Sequence, residues 1–139
     1  MKINTYLNYG GNCKEAFEFY EKHLGGKILM SMTFAETPGG NPGPPELANG
    51  ILYARMAIGE TEIMGNDVAP ERFQPMRSAY LCLSVASPEE AERIHALLAE
   101  DGEIFMPMEE TFFAFRFSML RDRFGTSWMV IFELPMGGS

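Results

Sequence analysis

Several kinds of residue and segment are scarce in this chain of 139 residues, and each scarcity excludes a class of protein. There are only two cysteines, Cys13 and Cys82, which match neither a disulfide framework nor a paired CxxC zinc site. No hydrophobic run approaches the roughly 20 residues of a membrane-spanning helix. Met1 is not followed by an apolar leader segment. These absences predict a cytoplasmic protein with two reduced thiols.

Basic residues are also in the minority. Eleven Lys and Arg stand against nineteen Asp and Glu, which gives a formal net charge of −8. Nucleic acids and anionic membrane surfaces are bound through clustered Lys and Arg. The charge balance therefore predicts neither nucleic acid nor a membrane as a partner. The length suits one domain over 1–139, and 46% apolar residues are enough for a packed core.

The hydrophobic pattern predicts the same order of elements twice, namely a strand, a helix and three strands. The two copies occupy about 1–66 and 78–135. The first copy has predicted strands at 2–9, 27–36, 51–58 and 61–65 and a helix at 13–24. The second has predicted strands at 79–86, 103–108, 112–120 and 126–134, with a helix that begins at Pro88 and stops before Gly102.

Local signals fix the starts of the two helices. Asn12 is predicted to cap the first helix, because its side chain can accept an orphan backbone N–H. Ser87, Pro88 and Glu90 form a capping box for the second. The segment 37–45, rich in Pro and Gly, predicts a long loop, which is either a surface insertion or a lid over a site.

One helix in each βαβββ copy can cover only one face of its sheet. The other face must be buried or line a cavity. We therefore expect an α+β fold in which duplicated βαβββ modules form a half-open curved mixed sheet around a cleft.

Short motifs along the whole chain carry a resemblance to a known family. They are Tyr6-Leu7-Asn8, Gly11-Asn12-Cys13, Leu24-Gly25-Gly26, and the run from Glu110-Thr111-Phe112-Phe113-Ala114 through Asp122-Arg123-Phe124-Gly125 to Trp128-Met129. With these motifs the chain resembles the PhnB-like branch of the vicinal oxygen chelate superfamily, also called glyoxalase/bleomycin-resistance/dioxygenase. The resemblance implies that fold, with a cleft often built across two chains and hence a homodimer.

The resemblance also tells where a metal would be held. The ligand positions of metal-using members fall near Thr5, at Arg55, at Tyr80, and at Trp128 or Met129. None of these is His, Asp or Glu, and Arg55 would repel a cation. We therefore expect no metal and no cofactor. A metal-dependent enzyme (a lyase, isomerase or dioxygenase) is the alternative.

The family has often carried the label of a 3-demethylubiquinone 3-methyltransferase. A methyl donor is normally held at a Gly-rich turn after a parallel strand in a doubly wound sheet. The β-rich pattern of this chain does not predict such a sheet, so we do not expect methyl transfer.

The leading hypothesis is metal-free binding of a small aromatic or anionic molecule in the cleft, with no catalytic residue assigned. The predicted ligand-binding residues are Tyr6, Asn8, Tyr53, Arg55, Tyr80, Phe113, Phe115, Arg116 and Trp128. Met64 and Cys82 are further inward candidates, although Cys82 is expected to be a buried small hydrophobe.

Some of these positions leave alternatives open. Arg55 and Arg116 are either ligand contacts or partners in ion pairs. Strand alternation puts Arg116 on the face opposite a row of Phe113, Phe115 and Phe117. Either that row or Arg116 can face the cleft, but not both.

Overall fold

The computed structural model describes residues 1–133, and the chain divides into two compact units, with the boundary along the sequence between Gln74 and Pro75. Each unit is one βαβββ module with one helix and a four-stranded mixed sheet. The predicted duplication and the α+β class are confirmed. Neither helix among residues 1–133 is both long and apolar enough to cross a membrane.

The first module contains five regular elements. They are β1 (Thr5–Tyr9), α1 (Cys13–Leu24), β2 (Lys27–Thr33), β3 (Ile51–Ile58) and β4 (Thr61–Asp67). The strand order is β1-β4-β3-β2, with β1 parallel to β4 and the other neighbours antiparallel. The predicted loop is confirmed, and it contains a single 3-10 turn at Pro45–Leu47.

The second module repeats this arrangement. It contains β5 (Leu81–Ser84), α2 (Pro88–Ala99), β6 (Glu103–Glu109), β7 (Ala114–Arg121) and β8 (Ser127–Glu133). The order is β5-β8-β7-β6, with β5 parallel to β8. Most of the strands are shorter than predicted, and the predicted end of the last strand at Leu134 lies outside the described residues.

Each helix buries an apolar stripe against its own sheet. In α1 the stripe includes Phe17 and Tyr20, both with about 1% exposure or less. Phe17 lies so close to Gly65 on β4 that a Cβ at that glycine would be 2.9 Å from the Phe17 ring. In α2, Ile94 and Leu98 pack toward β7 and β8. Each sheet therefore has one face covered by its own helix.

The start of α1 does not use the predicted cap. The side-chain oxygen of Asn12 is buried and makes no hydrogen bond within residues 1–133. Asp67 takes its place, since its Oδ1 accepts the backbone N–H groups of Gly11 (3.0 Å) and Cys13 (2.9 Å). Its Oδ2 accepts the N–H of Ile51 at 2.8 Å. The buried Asp67 carboxylate thus joins the end of β4 to the starts of α1 and β3.

Asp122 has a similar role in the second module, at the turn between β7 and β8. Its Oδ1 accepts the N–H groups of Phe124 and Thr126, both at 3.0 Å. Its Oδ2 accepts Nε1–H of Trp128 at 2.8 Å. The predicted cap of α2 is confirmed, because Ser87 Oγ accepts the N–H of Glu90.

We expect Asp67→Asn to destabilise the first module. The amide can still accept two of the three hydrogen bonds, but its NH₂ group would face the Ile51 N–H, and one buried donor would lose its partner. Such a loss costs about 1–3 kcal/mol in the free energy of unfolding. Urea denaturation measures the change. Asp101→Asn, at an exposed site, is the matched control, and equal stability of the two variants would contradict this role for Asp67.

Candidate functional site

Four of the predicted site residues lie together on the first module's open face, the sheet face away from α1. Tyr6 pairs with Met64 across β1 and β4, and Arg55 pairs with Met64 across β3 and β4. Directly paired residues point to the same face of a sheet. Asn8 and Tyr53 lie two residues further along their strands and so share this face. The prediction therefore groups these residues correctly, although their role in binding stays a prediction.

The two tyrosines form an aromatic surface on the open face. Their ring centroids lie 6.5 Å apart with 26° between the ring planes. The Tyr53 hydroxyl donates to the sulfur of Met64 at 3.3 Å. Burial raises the pKa of Tyr6, and the neighbouring Cys13 and Tyr53 raise it further. The Tyr6 phenol therefore stays protonated at neutral pH and offers a hydroxyl and a ring.

Arg55 is in an ion pair on this face. Its Nε donates to Oε1 of Glu62 at 3.1 Å, and Nη2 donates to the same oxygen. The side chain is 41% exposed. Of the two alternatives predicted for Arg55, the structure contains the ion pair, and Glu62 already compensates the guanidinium charge.

An amide pair lies at one end of the open face. Asn8 Nδ2 donates to Oδ1 of Asn66 at 2.6 Å. Asn66 also lines a cavity of about 550 Å³ within the first module. The apolar part of the lining is Phe34, Pro44, Leu47, Val68 and Ala69, and the polar part is Glu46, Asn66, Asp67, Glu71 and Arg72. The cavity is thus walled by the long loop on one side and by the segment after β4 on the other.

Sequence reasoning missed this cavity and its lining residues. Asn66 lies one residue past the strand predicted at 61–65, and a strand longer by that residue would have placed Asn66 on the face of Met64 by alternation. No comparable signal points to Leu47 or Val68, because both lie outside the predicted strands. The loop prediction allowed either an insertion or a lid, and the structure makes part of the loop a cavity wall.

Tyr80 and Trp128 belong to the second module. Tyr80 precedes β5, and its hydroxyl accepts a hydrogen bond from Nη1 of Arg77 at 2.9 Å. Trp128 is 1% exposed, and its Nε1–H is directed at Asp122. Burial leaves Trp128 no surface for a ligand, so it does not enter the site that we describe.

A β-bulge changes the predicted face of the β7 aromatics. Ala114 pairs with Glu133 and Arg116 with Phe132, so Phe115 is an extra residue without a partner on β8. Phe115 stacks on Phe132, with ring centroids 5.6 Å apart. The predicted single row is wrong, because a bulge interrupts the alternation of side chains.

The three phenylalanines of the predicted row are therefore in two places. Phe113 contacts Phe117, with centroids 5.0 Å apart. Phe115 and Arg116, predicted to lie on opposite faces, both line a cavity of about 340 Å³ with Pro88, Glu110 and Phe132.

Arg116 is directed toward α2. Its Nε lies 3.0 Å from Oε1 of Glu92 without the alignment of a hydrogen bond. Its Nη1 donates to the carbonyl oxygen of Phe115 at 3.0 Å. As with Arg55, the structure contains the ion-pair alternative.

The positions implied for a metal do not form a suitable donor set. Arg55 pairs with Glu62, Tyr80 with Arg77, and Trp128 with Asp122. Within residues 1–133, no three or more His, Cys, Asp or Glu side chains are gathered where they could hold a metal ion. Divalent metal ions need donor atoms with a free lone pair; the Arg55 and Trp128 side chains have none, and the Tyr80 hydroxyl is bound to Arg77.

The two cysteines differ in environment. Cys13 is buried, and burial raises the pKa of its thiol, with the Asp67 charge adding to the effect. Cys82 is exposed, so the prediction of a buried small hydrophobe is wrong. Partial burial and the nearby Glu133 raise the Cys82 pKa, while a hydrogen bond with Ser84 opposes the shift. Neither thiol is activated as a nucleophile.

Comparison with known proteins identifies the family. A family model described as 3-demethylubiquinone-9 3-methyltransferase matches residues 1–131. Protein PA1353 from Pseudomonas aeruginosa is 37% identical, with a TM-score of 0.85 over 96% of this chain and 98% of its own. The PhnB protein from Bacillus cereus is 26% identical, with a TM-score of 0.82 over 95% and 99%. This chain belongs to that family, the PhnB-like branch of the vicinal oxygen chelate superfamily.

A more distant relative has the same fold. The fosfomycin resistance protein FosX from Listeria monocytogenes is 13% identical, with a TM-score of 0.65 over 96% of this chain and 94% of its own. At this identity the likeness concerns the fold alone.

His95 is a second titratable group in the contact between α2 and β7, besides the ion pair of Glu92 and Arg116. Its Nδ1 lies 2.9 Å from Oγ of Ser118. Burial lowers the pKa of His95, and the neighbouring Glu92 only partly opposes this.

We expect this histidine to make the protein less stable in mild acid. Because its folded pKa lies below the unfolded value of about 6.5, the unfolded state binds the proton more readily. The free energy of unfolding is therefore highest above about pH 6.5, where His95 is neutral in both states, and it decreases as the pH falls toward the folded pKa. NMR titration of the His95 ring should give a midpoint below 6.5. His95→Asn keeps a polar contact to Ser118 but does not titrate in this range. Its free energy of unfolding should change less between pH 7.5 and 5.5 than that of the natural chain. An equal change in both proteins would contradict this role of His95.

Proposed function

We propose that this protein binds a small, uncharged aromatic molecule in the cavity beside Asn66, with no chelated metal in the binding step. The observation that carries the proposal is the cavity of about 550 Å³ that adjoins the Asn8–Asn66 amide pair. Ligand pockets commonly have about 300–1,000 Å³, with apolar walls and a few polar groups. The cavity has that size, and its lining combines five apolar residues with Asn66 and four charged residues.

The lining favours an aromatic ligand. Phe34, Leu47 and Val68 supply apolar wall, and a phenyl ring can meet the Phe34 ring edge to face. The Tyr6–Tyr53 surface extends along the same sheet face. An amide has two donors and two acceptor sites, so Asn66 can hold a ligand hydroxyl in addition to Asn8.

The charges favour a neutral ligand over an anion. Arg55 is compensated by Glu62, and Arg116 lies in the other module beside Glu92. The cavity lining holds Arg72, but also Glu46, Asp67 and Glu71. The whole chain is acidic as well, with a formal net charge of −8. We therefore narrow the expected ligand from aromatic or anionic to aromatic and uncharged.

Methyl transfer, which the family description names, has little support from the residues of this chain. The N-terminus of α1 follows a Gly10-Gly11 turn, where a cofactor anion could be held in other folds. Here the Asp67 carboxylate already accepts the N–H groups of Gly11 and Cys13. These N–H groups are therefore already engaged and are not available to hold the carboxylate of a methyl-donor cofactor.

The binding proposal is tested by titrating 4-hydroxybenzyl alcohol into ¹⁵N-labelled protein. We expect saturable shifts confined to the amides around the cavity, including those of Leu47 and Val68. Ala69→Phe fills the cavity and should weaken binding at least tenfold. Ala96→Phe, on the exposed side of α2, is the matched small-to-large control and should bind normally.

Two further ligands distinguish recognition of an aromatic ring from recognition of a negative charge. The carboxylate 4-hydroxybenzoate should bind more weakly than the alcohol, and propionate should not bind. If propionate shifts the same amides as strongly as the alcohol, the site recognises an anion. If Ala69→Phe binds the alcohol as well as the natural chain does, this cavity is not the site.

We also propose that the protein is a cytoplasmic homodimer. The edge strands β2 and β6 have exposed apolar side chains, among them Leu29 (47%) and Ile104 (48%). Exposed edges with apolar side chains are suited to pairing with another copy. Both cysteines are free thiols, as expected in a reducing compartment.

Light scattering after gel filtration should give twice the chain mass of 15.6 kDa. The double variant Leu29→Lys, Ile104→Lys should shift the mass to that of one chain, because charge at the edges opposes pairing. The control is Ile3→Lys, which adds a charge at a fully exposed position outside the strands. A monomer at micromolar concentration would contradict the proposal.

A further inference from the structure

A row of sulfur atoms crosses the second module's open face, the sheet face away from α2. Cys82 on β5 pairs with Met129 on β8, and Met129 pairs with Met119 on β7. Met119 in turn pairs with Met106 on β6. Residues paired in this way point to the same face. Four consecutive strands therefore each contribute one sulfur side chain to a single line.

This line lies opposite the face that α2 covers. The residues that alternate with Met119 and Met129, such as Leu120, Trp128 and Val130, are buried beneath the helix. Cys82 is exposed, Met106 is 37% exposed, and Met119 and Met129 are half-buried. These four side chains are therefore at least partly exposed to solvent.

We propose that Cys82, Met129 and Met119 form a binding site for Cu(I), a soft monovalent cation. Thiolate and thioether ligands select soft ions such as Cu(I) over the harder divalent ions. Two strand spacings, about 9.6 Å, separate Cys82 from Met119. The long, flexible methionine side chains can reach across part of that distance to an ion above Met129. Met106 continues the row beyond the three ligands.

Binding exchanges a proton for the ion. The Cys82 thiol loses its proton to solvent as the sulfur–copper bond forms, and the thioethers bind without releasing protons. No electron is transferred, because copper enters and stays as Cu(I). A free cysteine thiol is mostly protonated at neutral pH. One proton should therefore be released per ion bound, and the affinity should increase with pH.

This inference concerns a different module from the proposed aromatic site and does not depend on it. The nearby acid Glu133 is a hard donor at the end of β8, so it is not needed for a soft ion. Of the positions that the resemblance implies for a metal, the proposed site uses only Met129, whose thioether suits a soft ion.

The experiment is an anaerobic titration of the intact protein with Cu(I), in competition with the chelator bathocuproine disulfonate. We expect one ion per chain, a thiolate-to-copper absorption band in the ultraviolet, and one proton released per ion. Cys82→Ser should abolish binding. Met119→Leu and Met129→Leu, singly and together, keep the side-chain volume and should weaken binding, at least tenfold for the pair.

The control is Met30→Leu, which removes an exposed methionine (37%) from the first module and should bind Cu(I) normally. Iodoacetamide should alkylate Cys82 in each methionine variant at the same rate as in the natural chain. Equal rates show that the variants keep the thiol accessible. If the double methionine variant binds as tightly as the natural chain, Cys82 acts as a lone thiol and the proposed site is wrong. Binding that survives Cys82→Ser, or no binding at one equivalent, also overturns it.

Discussion

The Asp67 carboxylate is the interaction on which the first module depends. One buried side chain accepts three backbone N–H groups, from Gly11, Cys13 and Ile51. Charge-assisted hydrogen bonds of this kind are stronger than neutral ones, and a buried donor without a partner is costly. The carboxylate therefore fixes where α1 and β3 begin relative to the end of β4. It also lines the cavity beside Asn66, so the same residue that orders the module forms part of the candidate site.

The second module also contains a buried aspartate that accepts several N–H groups, but at a different place. Asp122 accepts three N–H groups, but at the turn between β7 and β8 and not at the start of the helix. The start of α2 has its own cap in Ser87. The two modules share their strand order, yet their open faces differ in chemistry. The first has tyrosines, amides and an ion pair, whereas the second has sulfur side chains, and this difference is why we propose different ligands for them.

Local signals in the sequence predicted the elements well, and long-range partners could not be predicted. The cap of α2 lies within four residues of chain, so Ser87 and Glu90 were sufficient. The cap of α1 comes from Asp67, which is 54 residues from Cys13 along the chain, and no pattern near Asn12 indicates it. The site residues of β1 and β3 were placed on one face because strand alternation is regular there. On β7 the faces predicted from alternation were wrong, because the bulge at Phe115 adds one residue and shifts the side chains on either side of it.

The central claim is that the cavity beside Asn66 receives an aromatic ring. Isotope-filtered NOE spectroscopy with 4-hydroxybenzyl alcohol tests it most directly, because it reports which methyl groups lie near the ring protons. We expect cross-peaks from the ring to the methyl groups of Leu47 and Val68, which line the cavity. Cross-peaks to methyl groups of the second module alone, such as those of Ile104, would contradict the claim.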